Sequence, residues 1–201
     1  MNADALFAIM KTRRSVRKYT DRPVPEAILQ RLLKAAQWGP SAHNRQPWRW
    51  AVLTTADRRA SLAAAMGARF RADLEADGLP LDKVERMVVR SYQRISTAPA
   101  VIVLFLSMAD MDRYPDPGRQ EAERVMAIQS VALAAQNLLL LAHAEGLGVC
   151  WMCAPLFCPD VVRAELDLPD DWEAQGLLTV GYPAEERVSE RAVLEAKLRW
   201  Y

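Results

Sequence analysis

Three groups of residues in this 201-residue chain have the types and spacing to do chemistry. The first is Arg13-Arg14-Ser15-Val16-Arg17-Lys18. With 26 basic and 25 acidic residues, the chain as a whole carries a formal charge of only +1, so this run is a local feature. It reads either as a solvated basic turn or as an anion site. Guanidinium groups offer forked donors that match phosphate oxygens, and the Ser15 hydroxyl adds another. The second group is the loop Pro40-Ser41-Ala42-His43-Asn44-Arg45-Gln46-Pro47-Trp48, which holds small hydrogen-bonding side chains between two prolines. Such a loop has a fixed shape and presents many donors, although a lone histidine such as His43 is more often structural than catalytic. The third group is Cys150, Cys153 and Cys158. Cys-x-x-Cys spacing fits a redox dithiol or half a zinc site. Against both, residues 150 and 153 on a strand point to opposite faces, and zinc needs four ligands while His143 sits back on a helix. Free cysteine is commonly a small core residue, so the thiols read as buried or pocket-lining, and no metal is expected.

These groups need a scaffold, and the stretch from Gly118 to Pro159 organises it. Between Glu121 and Glu145 there is no glycine or proline, and Val125, Met126, Ile128, Val131, Leu133 and Leu138 to Leu141 cover more than one helical face. A helix apolar on that many sides must be surrounded. One small domain can hardly wrap it alone, so it is expected to be the central helix and part of a subunit interface. It is about long enough to cross a membrane. Gln129, Ser130, Gln136, Asn137 and His143 interrupt it, which favours a core helix instead. Gly146 then stops it, and a short strand follows at Val149 to Met152.

The other elements follow from the same periodicities. A helix is predicted over 3–12, with Leu6, Phe7, Ile9 and Met10 on its apolar side, and another over about 26–38 that buries Ile28, Leu29, Leu32 and Leu33. Gly39-Pro40 stops the second, and a strand is expected at about 49–54. Residues 57–97 read as two helices broken at Gly78-Leu79-Pro80, and Ala100 to Ser107 as a strand buried on both faces. Asp110 to Gly118 is a loop that could form a substrate rim. Pro159 opens a short helix, Leu177 to Gly181 is a buried strand, and the tail carries Lys197 and Arg199. The result is one α+β domain spanning 1–201.

An apolar content of 51% can build a proper core. Near-zero net charge gives no reason to expect a nucleic-acid or membrane partner. The acidic start Met1-Asn2-Ala3-Asp4 lacks the basic region of a signal peptide, which points to the cytoplasm.

Taken together, Arg13-Arg14-Ser15-Val16-Arg17, the Pro40 to Trp48 loop and Gly146-Leu147-Gly148 after a long apolar helix resemble the flavin-dependent nitroreductase family. That resemblance implies a nitroreductase-like fold: a small mixed sheet flanked by helices, with a long central helix, in an intertwined homodimer. It implies FMN at the interface, NAD(P)H as electron donor and a small-molecule acceptor. Arg13, Arg14 and Ser15, with Lys197 and Arg199, match contacts to the flavin phosphate and ribityl chain. Arg17 matches a basic residue at the flavin pyrimidine edge and would be the catalytic group. Pro40, Ser41, Ala42 and Asn44 would reach the FMN of the partner subunit, while Trp151, Met152 and Cys153 would line the ring. His43 and Tyr114 are possible acceptor contacts. Within the family, Arg71 to Pro80, Tyr114-Pro115-Asp116, Gly146 to Trp151 and Phe157 to Arg163, with Asp167-Leu168-Pro169 and Asp171-Trp172-Glu173, are similar to the flavin-binding C-terminal domain of the bifunctional F-420 (deazaflavin coenzyme) biosynthesis protein. The alternatives this implies are reduction of a dehydro intermediate of that coenzyme, or a flavin- or deazaflavin-binding protein without turnover.

Overall fold

The computed structural model of the protein describes residues 2–201, leaving Met1 outside the described residues. In chain order the elements are α1 (Ala3–Thr12), α2 (Glu26–Ala36), β1 (Trp48–Leu53), α3 (Ala56–Ala76), α4 (Leu81–Ser96), β2 (Ala100–Leu106), α5 (Pro117–Ala144), β3 (Gly148–Met152), α6 (Pro159–Glu165) and β4 (Glu173–Gly181). Local chemistry explains their ends. The Asn2 side chain accepts the Ala5 N–H at 2.9 Å and caps α1. Asp116 accepts the Arg119 N–H at 2.9 Å, and Pro117 opens α5 where a missing N–H does no harm. Gly146, at φ 76°, turns the chain out of α5 in the left-handed region.

The four strands form one sheet in the order β1-β2-β4-β3, each neighbouring pair antiparallel. The sheet expected to be mixed is therefore antiparallel, and the parallel contact between Ser15 and Val149 is an isolated bridge outside its strands. Every residue of β2 is buried. Its alternate side chains divide between two cores: Ile102, Leu104 and Leu106 face α2 and α5, while Val101, Val103 and Phe105 face α3 and α6. Layers on both faces are why this strand reads as an unbroken apolar run. β4 starts four residues earlier than expected, and Glu173 to Gly176 pair with β2 across a bulge at Leu104/Phe105. Polar Glu173 and Gln175 and the absence of a side chain at Gly176 hide that extension from a hydropathy reading.

α5 crosses the centre of the molecule and packs against α2, β1, β2 and β3. One 18-residue stretch of it reaches a mean hydropathy of 1.8, enough for a membrane span, yet the helix lies in a protein core. As expected of a helix that one small domain can hardly wrap alone, α5 is not fully covered within the chain. Ala122, Val125, Gln129, Ala132, Leu133 and Gln136 form an exposed stripe, with Val125 41% and Leu133 47% accessible. α1 likewise leaves Leu6, Phe7 and Met10 exposed instead of burying its apolar side. Both faces lack a partner within the chain.

The turn after α2 reaches the middle of α5 through Gly39. A Cβ built there would meet the Ala134 Cα at 2.5 Å, so only glycine allows the approach. Gly39→Ala is expected to cost about 1–3 kcal/mol in urea unfolding, the usual range for overpacking. Gly118→Ala, with only the Asp116 carboxylate at 3.5 Å from the added carbon, should leave stability nearly unchanged.

Candidate active site

The basic segment after α1 lies along β3. Val16 donates its N–H to the Val149 carbonyl at 3.1 Å, and the Val16 side chain is buried. Gly148 permits this, since a Cβ there would sit 2.7 Å from that of Val16. Tyr19 locks the far end: its hydroxyl lies 2.6 Å from the Val16 carbonyl and 2.7 Å from the Thr179 hydroxyl. Ser15 and Arg17, flanking the buried valine, are therefore half-buried at the sheet edge.

Cations gather here with little compensation. Burial and the neighbouring Arg191 and Arg14 lower the Arg13 pKa. No ion pair neutralises Arg13 among the described residues. Arg14 is turned inward: Nη1 donates to the Lys11 and Arg13 carbonyls at 2.6 and 2.8 Å, Nη2 to the Ser189 carbonyl at 3.0 Å, and its buried Nε has no partner. Arg17 uses its backbone N–H on the Glu185 carboxylate at 2.8 Å, while that carboxylate also receives Arg187. The Arg17 guanidinium is left beside the Cys150 thiol, with Arg94 of α4 close by. Burial raises the Cys150 pKa despite these cations, so the thiol stays protonated at neutral pH.

The second part of the predicted site is elsewhere. Ser41 to Gln46 wrap a 3-10 turn at Ala42–Asn44 beside the middle of α5, where the Ala42 N–H reaches the Ser130 hydroxyl at 3.3 Å. His43, Asn44 and Gln46 have φ of 50°, 54° and 52°. Asparagine tolerates that region, but for other side chains it costs about 1–2 kcal/mol each and persists only where the surroundings impose it. The Arg13 cluster lies at the other end of α5, where Thr12 Oγ1 is 2.8 Å from His143 Nε2. Ser130 and His143 lie 13 residues apart, about 20 Å along a helix. One chain therefore does not bring Pro40, Ser41, Ala42 and Asn44 to Arg13, Ser15 and Arg17.

At the end of β3, Trp151 and Met152 are half-buried, and the Trp151 indole N–H donates to the Cys153 sulfur at 3.1 Å. Cys153 is exposed and Cys158 buried; both line a cavity of about 430 Å³ with Met66, Phe70, Leu74 and Phe157. Cys150 is buried and, paired with Thr179 opposite Val101, faces the same side of the sheet as Cys158. Lys197 and Arg199 do not join the Arg13 cluster within the chain. Both are exposed on a tail that continues through a 3-10 turn at Leu194–Lys197, where Val193, Leu194, Trp200 and Tyr201 also lie open. The tail residues that do approach are Ser189 and Arg191. Neither Arg191 nor Arg94 was expected from sequence: each is a single arginine far along the chain, without local patterning.

The sheet order, the central helix and the cation cluster define a known architecture. The chain belongs to the nitroreductase family, whose model matches residues 10–182. It is 37% identical to an NADH dehydrogenase of Thermus thermophilus, over 98% of this chain and 96% of that one. It is 30% identical to a 5,6-dimethylbenzimidazole synthase of Rhodospirillum rubrum, over 91% and 84% of the two chains. Among solved structures, the FMN- and NADPH-dependent nitroreductase NfnB of Sphingopyxis sp. strain HMH superposes with a TM-score of 0.71 at 28% identity, covering 100% of this chain and 99% of that one.

The cation cluster has a titratable reporter. Burial, then Arg13, then Arg14 hold the His143 pKa below its ordinary value of 6.5. The unfolded chain therefore takes up this proton first as pH falls. The stability that depends on neutral His143 is complete above 6.5, declines below it and levels off under the folded-state pKa. Urea unfolding between about pH 8 and pH 5 should show that decline, and His143→Gln should remove it. Inorganic phosphate bound at Arg13 should raise the His143 pKa, read by NMR.

Proposed function

We propose that the protein is an FMN-dependent oxidoreductase that works as a homodimer in the cytoplasm, passing hydride from NAD(P)H to a small oxidised acceptor of nitroaromatic or quinone type. The observation that carries this is the division of the cradle. Arg13, Ser15 and Arg17 stand at one end of α5, and the Ser41 to Gln46 loop stands about 20 Å away beside unpartnered apolar faces of α5 and α1. A second copy packed on those faces supplies the loop that each cation cluster lacks. The donor and cofactor are supported by the relatives, one an NADH dehydrogenase and one an FMN- and NADPH-dependent nitroreductase.

The residues present fit a flavin phosphate. Arg13, Arg14 and Arg191 converge with no ion pair to a carboxylate among the described residues, although Glu190 lines the same cleft, and a buried Arg14 Nε lacks an acceptor. A dianion there relieves the repulsion between the three guanidinium groups. Ser15 adds a hydroxyl, and Lys197 and Arg199 are free to reach a phosphate once the tail is placed by assembly. Arg17 keeps its charge unneutralised because Glu185 binds its backbone N–H instead. A fixed cation at the flavin pyrimidine edge favours the negative charge that accompanies reduction. Trp151, Met152 and Cys153 border the ring, and the adjoining cavity accepts a flat acceptor. FMN when bound supplies the hydride chemistry; the protein supplies orientation, charge and exclusion of water.

The relative that makes 5,6-dimethylbenzimidazole favours a second reading, in which this chain makes that compound. The deazaflavin reading rests on the sequence stretches alone. Absorbance of the purified protein under anaerobic conditions separates these. Bound flavin that bleaches with NADH or NADPH and recovers with a quinone supports the proposal. Bound flavin inert to both donors defeats it in favour of a binder or of deazaflavin chemistry, and release of 5,6-dimethylbenzimidazole supports the second reading. Arg13→Ala should cut flavin retention at least tenfold, the loss of a charge-assisted phosphate contact.

A further inference from the structure

The Ser41 to Gln46 loop holds a shape that its own sequence does not favour. Within it, the Ser41 hydroxyl accepts the Gln46 N–H at 3.1 Å, and the Gln46 amide reaches the Asn44 side chain at 3.2 Å. From outside, α5 provides the Ser130 hydroxyl. The remaining side-chain tie is an ion pair between Arg45 and Asp112.

Asp112 is itself fixed from below. Its backbone N–H donates at 3.1 Å to Glu123 Oε1, a carboxylate with no accessible surface whose other oxygen has no partner. A buried carboxylate with one unmet oxygen is costly, and its position is explained by the loop it anchors. The same segment is held by buried Met111, by Asp110 on Arg49 of β1 at 2.5 Å, and by the Tyr114 N–H on Gln120 at 3.0 Å. The residues from 110 to 114 are thus a brace built on α5 and β1. The Arg45 and Asp112 side chains are 44% and 35% exposed, so the pair contributes little to global stability. Its effect is local, on the one loop whose backbone needs support.

We infer that Asp112 is a positioning residue for flavin binding: through Arg45 it holds the left-handed loop in the form that completes the partner subunit's cofactor site. This rests on the reading that the loop contacts FMN. If removing the tie lowers the competent loop population about threefold, within the reach of a half-exposed ion pair, apparent FMN affinity falls about threefold although every group that touches the flavin is still present.

The test uses the full-length dimer. FMN affinity is measured by fluorescence quenching for wild type, Asp112→Asn, Arg45→Gln, the double variant and the swap Arg45→Asp with Asp112→Arg. The expected result is a loss of about two- to fivefold in either single variant, no further loss in the double variant and recovery of most of the affinity in the swap. Apoprotein unfolding and dimer size should not change, and hydrogen exchange should rise in residues 41–46 but not in α5. Unchanged FMN affinity in the single variants overturns the inference. So does a loss that tracks a fall in apoprotein stability. Failure of the wild-type protein to bind FMN overturns the flavin reading itself, and the exchange measurement then shows separately whether the pair holds the loop.

Discussion

The structure depends on an apolar helix that its own chain leaves open along one face. Twenty-eight residues of α5 extend about 42 Å, about the full width of a domain of this size. Three faces of the helix find partners in the sheet and in α2, and the fourth does not. Everything placed on α5 inherits this situation. The loop at its middle and the basic segment at its end are each held rigidly, but held apart. Close backbone approaches at Gly39 and Gly148 make the holding possible. Neither segment carries a long apolar run of its own, and both borrow their order from α5 and β3.

Charge follows a similar logic. Acidic and basic residues are nearly equal in number, yet they are not evenly paired. On the outer helices the pairs are ordinary surface ones, within a helix or between packed helices: Arg86 with Asp82, Arg69 with Asp160, Arg71 with Glu85. Around β3 the arginines face one another, and the Glu185 carboxylate is occupied by a backbone N–H and by Arg187. Such repulsion is tolerated where an anion is the intended partner. The buried Cys150 thiol beside these cations stays neutral because desolvation outweighs them, so it behaves as packing and not as a nucleophile.

Most of the fold was legible in the sequence because its signals are periodic. The helices at 3–12 and 117–144 and the buried strand at 100–106 announce themselves by spacing and composition. The start of β4 did not, since polar Glu173 and Gln175 and bare Gly176 give no strand signal, and the pairing that makes them a strand is supplied by β2. The open face of α5 was legible, since one small domain can hardly wrap such a helix, but that of α1 was not: an apolar stripe shows that a residue will be covered, not by which chain. For the site, Arg13, Ser15 and Arg17 were visible as a dense motif. Arg94, Arg191, Glu185 and Asp112 were not, because each is brought in from a distant segment by tertiary packing and leaves no mark on its neighbours in sequence.

In the proposed assembly, the separation of the two segments along α5 links two equilibria that are independent in a one-chain flavoprotein. A cofactor that touches both chains binds only the assembled form, so it strengthens association by mass action, and dilution of the protein releases it. Flavin content then reports subunit concentration as well as affinity. The same protein would stay yellow in a concentrated preparation and fade on a long, dilute column, with no change in any side chain that touches the ring.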